Sequence, residues 1–61
     1  MNIQRAQEIA ESGHLAKVFF NGERVFIQHV DEQKETARIY PLDDPQKEQE
    51  VALSSLQERM N

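Results

Sequence analysis

Ala16-Lys17-Val18-Phe19-Phe20-Asn21-Gly22-Glu23-Arg24-Val25-Phe26-Ile27-Gln28-His29-Val30 is the stretch that decides the fold. Two runs rich in β-branched and aromatic residues flank Asn21-Gly22, and Asn and Gly tolerate the positive φ that both central positions of a type I′ turn require. A two-residue loop at this point sets a register in which Phe20 faces Glu23, Val18 faces Val25 and Ala16 faces Ile27. Successive side chains of a strand point to opposite sides of its sheet, so Ala16, Val18, Phe20, Val25 and Ile27 gather on one face. Lys17, Phe19, Arg24, Phe26 and Gln28 fall on the other.

Downstream, Asp31 through Glu35 carries no hydrophobic residue and separates this hairpin from Thr36-Ala37-Arg38-Ile39-Tyr40, a third strand closed off by Pro41. Setting Ile27 opposite Ile39 keeps apolar residues together. It adds Ile39 and Ala37 to the apolar face, places His29 near Ala37, and adds Arg38 and Tyr40 to the mixed face. Leu42-Asp43-Asp44-Pro45-Gln46-Lys47-Glu48 reads as a loop, and the alternation in Gln49-Glu50-Val51-Ala52-Leu53 as a fourth strand at the sheet edge. Ser54-Ser55-Leu56-Gln57-Glu58 contains two overlapping capping boxes, which predicts a last helical turn before Met60-Asn61 frays. Upstream, Ile3, Ala6, Ile9 and Ala10 recur at helical steps, with Asn2 placed to cap and Gly13 to terminate. The narrow apolar stripe of this helix is expected to fold back on the sheet.

The predicted class is α+β, with residues 1–61 forming a single domain. Its sheet is expected to be small, curled and antiparallel, with about four strands in an SH3-like, partly open barrel. The N-terminal helix is placed over one opening, and a short helical turn over the C-terminal residues. A chain of 61 residues buries only about 60% of its unfolded surface, which leaves little room for an enclosed cleft. No cysteine is present, which removes thiolate catalysis, Cys-based zinc sites and a disulfide framework, and fits a reducing interior. The start Met1-Asn2-Ile3-Gln4-Arg5 lacks the apolar core of a signal peptide, and no apolar run approaches membrane-span length, so no membrane partner is expected. Eleven acidic against seven basic residues give a net charge of −4, a field that repels polyanions as a whole.

The mixed face stands against that background. Lys17, Phe19, Arg24, Phe26, Arg38 and Tyr40 interleave cations with aromatic rings, the pattern by which small β-folds stack unpaired bases and meet phosphates. Such a face is a candidate for binding single-stranded nucleic acid or an acidic protein segment. Small curled sheets commonly bury parts of both faces, and the plainer expectation they favour is that Phe19, Phe26 and Tyr40 make a second small core under the helix. A second copy of the chain is a further candidate partner, through the edge left by the strand around Val51.

Signals for chemistry are weak elsewhere. His29 and Asp31, two apart at a strand end, can form a base and its orienter but have no nucleophile beside them, and a packed strand-end histidine accounts for His29 better. His14 sits in the link after the helix. Asp31, Glu32, Glu35, Asp43 and Asp44 lack the alternating acidic spacing and central glycine of a calcium loop, and read as solvated turns. Ser54 and Ser55 are explained as caps, and Gly13 and Gly22 stand apart from any phosphate-cradling loop. No catalytic residue, metal site or cofactor is predicted.

Met1-Asn2-Ile3-Gln4-Arg5-Ala6, Glu8-Ile9, Glu11-Ser12, Ile27-Gln28-His29-Val30-Asp31-Glu32, Ala37-Arg38-Ile39-Tyr40 and Glu50-Val51 together resemble the H-type small acid-soluble spore proteins over nearly the full chain. Departures lie at Gly13-His14-Leu15, at Ala52 where the family suggests proline, and after Leu56. The resemblance implies a minor, non-enzymatic protein made during sporulation and kept in the spore core, in the forespore cytoplasm. It implies no molecular mechanism. The α/β-type spore proteins that coat DNA are helical and unrelated in sequence, so neither their fold nor their DNA binding transfers.

Overall fold

A computed structural model describes residues 1–12 and 16–59. Asn21 has φ +51° and Gly22 φ +80°, the left-handed pair that a two-residue hairpin loop demands. On either side run β1 (Lys17–Phe20) and β2 (Glu23–Asp31), with Val18 opposite Val25 and Phe20 opposite Glu23, the register anticipated from the turn. β3 (Thr36–Pro41) continues the meander and sets Ile39 opposite Ile27, as expected. β4 (Gln49–Ala52) pairs with β3 as an edge strand.

One residue beyond Ile27 the expected ladder breaks. A register shift between Ile27 and His29 sets His29 opposite Arg38 and Val30 opposite Ala37. The placement of His29 near Ala37 is thereby corrected. A β-bulge at Gln28 inserts an extra residue and re-aims those that follow. It delivers Val30 to the edge of the core, while His29 stays exposed.

The C-terminal residues overturn the predicted helical turn. Leu53–Ser55 forms one turn of 3₁₀ helix whose N-cap position, Ala52, makes no side-chain cap bond. The chain then extends as β5 (Leu56–Arg59) and pairs antiparallel with β1, setting Leu56 opposite Phe20 and Arg59 opposite Lys17. Tertiary burial outweighs local capping here. Side chains three apart eclipse on a 3₁₀ turn, so Leu53 and Leu56 both reach the core, at 3% and 2% exposure. Each such burial stabilises by about 1.5–3 kcal/mol, against about 1 kcal/mol for a serine cap.

The sheet order is β4-β3-β2-β1-β5. This corrects the expected architecture: the sheet has five strands rather than four, and it is not closed, because β4 and β5 form its two outer edges. One helix and a sheet are present, as α+β implies, but the SH3-like barrel is not. The helix α1 (Ile3–Ser12) lies against β2 on the core face, where Ala6 and Ile9 are buried with Val18, Val25, Ile27, Ala37 and Ile39. Asn2 caps it as predicted, its Oδ1 accepting from the amides of Gln4 at 2.7 Å and Arg5 at 3.3 Å. Gly13, expected to terminate it, and His14, Met60 and Asn61 lie outside the described residues.

Two ties lock the helix to the C-terminal segment. The Met1 amino nitrogen donates to the carbonyl oxygens of Leu53 at 2.8 Å and Leu56 at 3.3 Å. Arg5 grips the Glu58 carboxylate through Nε at 2.9 and 3.1 Å and Nη2 at 2.6 Å. Hydrogen bonds from Arg5 hold the Glu58 carboxyl below its ordinary value of 4.5.

Three outcomes are expected. Gly22→Val, which forces a β-branched residue into left-handed backbone, should cost about 1–2 kcal/mol in urea denaturation. Leu56→Ala should cost about 2–5 kcal/mol, whereas Ser54→Ala and Ser55→Ala should each stay within about 0.5 kcal/mol, the reverse of what a capped C-terminal helix requires. Because the folded-state value of Glu58 is depressed, its contribution is present above 4.5 and lost as pH falls through the lower folded value. Urea midpoints near neutrality and at about pH 3 should therefore differ less in Glu58→Gln than in the parent.

Candidate functional site

The face of the sheet turned away from α1 carries the residues singled out from the sequence, and the strand register decides who stands beside whom. Phe19 lies between Arg24 of β2 and Gln57 of β5. Lys17 faces Arg59, and Phe26 faces Tyr40. Arg38 sits between His29 and Glu50. All six predicted residues, Lys17, Phe19, Arg24, Phe26, Arg38 and Tyr40, thus occupy this outer face.

The rings are ordered by contact. Phe26 and Tyr40 stack with centroids 5.3 Å apart and planes at 29°. The Arg59 guanidinium lies over the Phe19 ring, 5.1 Å from its centroid, so one face of that ring is already taken by a cation. Phe19, Arg24, Phe26 and Tyr40 are half-buried, and Lys17 and Arg38 are exposed. The helix packs on the opposite side with Ala6 and Ile9 among the core residues, so the expected second core beneath it does not form. These rings are partly covered by one another and by the stems and heads of neighbouring cations.

Charge is sorted across the same surface. Among the described residues the ion pairs are Arg5–Glu8 at 3.3 Å, Arg5–Glu58 at 2.6 Å and Arg38–Glu48 at 3.2 Å. Arg38–Glu48 is a solvated pair at the β4 edge, where Glu50 also accepts from the Thr36 hydroxyl at 2.6 Å. Among the described residues Lys17, Arg24 and Arg59 have no carboxylate in direct contact. In the register Arg24 is paired with Phe19, which is paired in turn with Gln57, and Lys17 with Arg59, so none of these cross-strand partners is acidic. Arg24 Nε is buried and has no hydrogen-bond partner.

Arg59 and Gln57 belong to this face although sequence reasoning missed them. Their signal was the alternation Leu56-Gln57-Glu58-Arg59, which the capping serines before it masked. Glu58, with Val18 opposite, points to the helix side and is consumed by Arg5.

The other sequence candidates serve the backbone. Asp31 Oδ1 accepts from the amides of Gln33 at 3.0 Å and Lys34 at 3.1 Å, closing the β2–β3 turn. Beyond the bulge His29 and Asp31 stand on the same side of β2, opposite Arg38 and Thr36, but Asp31 Oδ1 is engaged by the turn amides rather than by the imidazole. Asp44 Oδ1 likewise accepts from the Gln46 amide at 3.3 Å. Among the described residues no group of three His, Cys, Asp or Glu converges as a metal would need, and no helix is long and apolar enough to cross a membrane.

Comparison with known proteins fits this chain into a family. Small, acid-soluble spore protein H of Bacillus subtilis (strain 168) is 62% identical over 58 residues, covering 95% of this chain and 98% of the relative. The protein of the same name from Halalkalibacterium halodurans is 60% identical over 95% of this chain and 97% of its own. Small, acid-soluble spore protein H 2 of Bacillus cytotoxicus is 56% identical over 97% of this chain and 100% of its own. No solved structure matches. The family model described as the small acid-soluble spore protein H family matches residues 1–58, and the chain belongs to that family.

Proposed function

We propose that this spore protein is a non-catalytic component of the spore core that holds unpaired stretches of nucleic acid on the outer face of its sheet. The observation that carries this is the coincidence, on a face the helix leaves uncovered, of three cations that have no carboxylate partner among the described residues with the stacked rings of Phe26 and Tyr40. A stacked aromatic pair extends naturally by one more flat ring, and a base supplies it. Stacking of this kind contributes about 1–3 kcal/mol per base and tolerates any sequence.

The net charge of −4 shapes the interaction without forbidding it. Acidic residues lie away from the β5–β1–β2 strip around Lys17, Arg24 and Arg59: Glu8 on α1, Asp31 and Glu32 at the far end of β2, Glu48 just before β4 and Glu50 on it. At physiological ionic strength the screening length is about 8 Å, so a bound strand feels mainly the nearest charges. Remote acids then oppose duplex and other large polyanions more than a short single strand laid across β5, β1 and β2.

A non-catalytic role is supported by the use of the titratable residues: Asp31 and Asp44 close turns, and Glu58 is bound to Arg5.

Fluorescence anisotropy with labelled oligothymidylate tests the assignment. Saturable binding is expected, with a log–log salt slope of roughly −2 if Lys17, Arg24 and Arg59 each neutralise one phosphate at about 0.7 apiece. Phe26→Ala should weaken it by about 1–3 kcal/mol. Binding to an acidic peptide in place of the oligonucleotide would assign the face to a protein partner, and binding to neither would leave a storage or structural role.

A further inference from the structure

Arg24 differs from the other cations of the outer face in its surroundings. Its backbone is held on both sides: β1 sets Phe19 opposite it, and the Leu42 amide donates to its carbonyl oxygen at 3.2 Å. Its side chain is half-buried, its Nε has lost contact with water, and neither a carboxylate nor a carbonyl replaces what was lost. Such a donor costs free energy for as long as it stays unpaired, and a partly desolvated guanidinium more than a neutral amide. Lys17 and Arg59 avoid this cost by staying exposed. A guanidinium also presents parallel donors in a rigid fork that matches two oxygens of a phosphodiester, which an ammonium cannot do.

We propose that Arg24 is the seat of one oxyanion, a phosphodiester group of a bound single strand toward which the side chain turns its covered Nε on binding, and that Lys17 and Arg59 steer the strand without anchoring it. The inference rests on the nucleic-acid assignment above and adds where its affinity is concentrated. Charge complementarity selects the occupant, since the buried unpaired donor found among the described residues lies in a stretch of β5, β1 and β2 whose neighbouring outward positions are uncharged or basic. The layout also divides the work between rings. Arg59 caps Phe19 beside the anion seat, which leaves the Phe26–Tyr40 pair as the platform for the adjoining base.

This arrangement makes binding and stability move in opposite directions at one residue. Arg24→Met keeps a long apolar stem, removes the unsatisfied donor and removes the seat. Oligothymidylate affinity should fall about tenfold or more, while the thermal midpoint stays level or rises. Lys17→Gln and Arg59→Gln, which remove exposed charges, should each cost no more than about fivefold. Arg24→Lys should fail to restore the parent affinity, because the charge is kept and the fork is lost.

The overturning results are separable from failure of the parent assignment. If the wild-type chain binds no oligothymidylate, the nucleic-acid assignment falls and this inference falls with it. If it binds and Arg24→Met loses no more than Lys17→Gln, the cations act as a diffuse field and only this inference falls. Should Arg24→Met not fold, the Nε–H resonance of Arg24 in the wild-type protein decides. Its saturable shift on titration with oligothymidylate supports the seat, and its immobility while Phe26 resonances move overturns it.

Discussion

Two residues with positive φ, Asn21 at +51° and Gly22 at +80°, determine on which side of the sheet each side chain of β1 and β2 stands. A loop of two residues allows one pairing, and a strand alternates sides with a period of two, so a slip by one position would exchange the faces wholesale. Val18, Val25 and Ile27 would then meet water, and Phe19, Arg24 and Phe26 would meet the helix. That exchange would strand Arg24 in the core and expose side chains now 1–3% accessible. The tight turn therefore specifies both the core and the outer face, and β3 inherits its orientation through the Ile27–Ile39 pair.

A chain this small has little apolar surface to spare, and its departures from regular geometry all serve to gather more. The bulge after Ile27 brings Val30 to the core margin where an unbroken ladder would have brought His29. The 3₁₀ turn delivers Leu53 and Leu56 together, and β5 then covers the free edge of β1. Arg5 and Met1 fasten the helix to that last segment by hydrogen bonds across more than fifty residues of sequence. First and last elements consequently hold each other in place, a closure by non-local contacts in a chain without cysteine.

The outer face owes its chemical character to the same economy. Apolar residues are spent on one side, so the other is built from rings and the stems of cations that keep one another half-covered. Glu48 pairs with Arg38 beside the β4 edge, Asp31 closes a turn and Glu58 is drawn to the helix side of β5, so these carboxylates stand away from Lys17, Arg24 and Arg59. A protein that is acidic overall thus presents a strip that is locally cationic and aromatic. Membership of the small acid-soluble spore protein H family makes this a spore protein, and the strip is the surface on which the proposed binding rests.

Most of this was legible in the amino-acid sequence wherever a local rule dominates. Asn21-Gly22 determined the hairpin, Asn2 the start of the helix, the Ile27–Ile39 pairing the third strand, and their alternation the six residues of the outer face. Short-range geometry accounts for each of these, because turn type, capping and pleat involve residues only a few positions apart. What only the tertiary structure decided depends on distant partners. Leu56 became strand rather than helix because β1 offered an unpaired edge and the core offered a place for its side chain, which the capping serines cannot sense. The bulge at Gln28, the open sheet in place of a barrel, the addition of Arg59 over Phe19 and the unsatisfied Nε of Arg24 follow from how whole strands settle against one another, and no window of neighbouring residues contains that information.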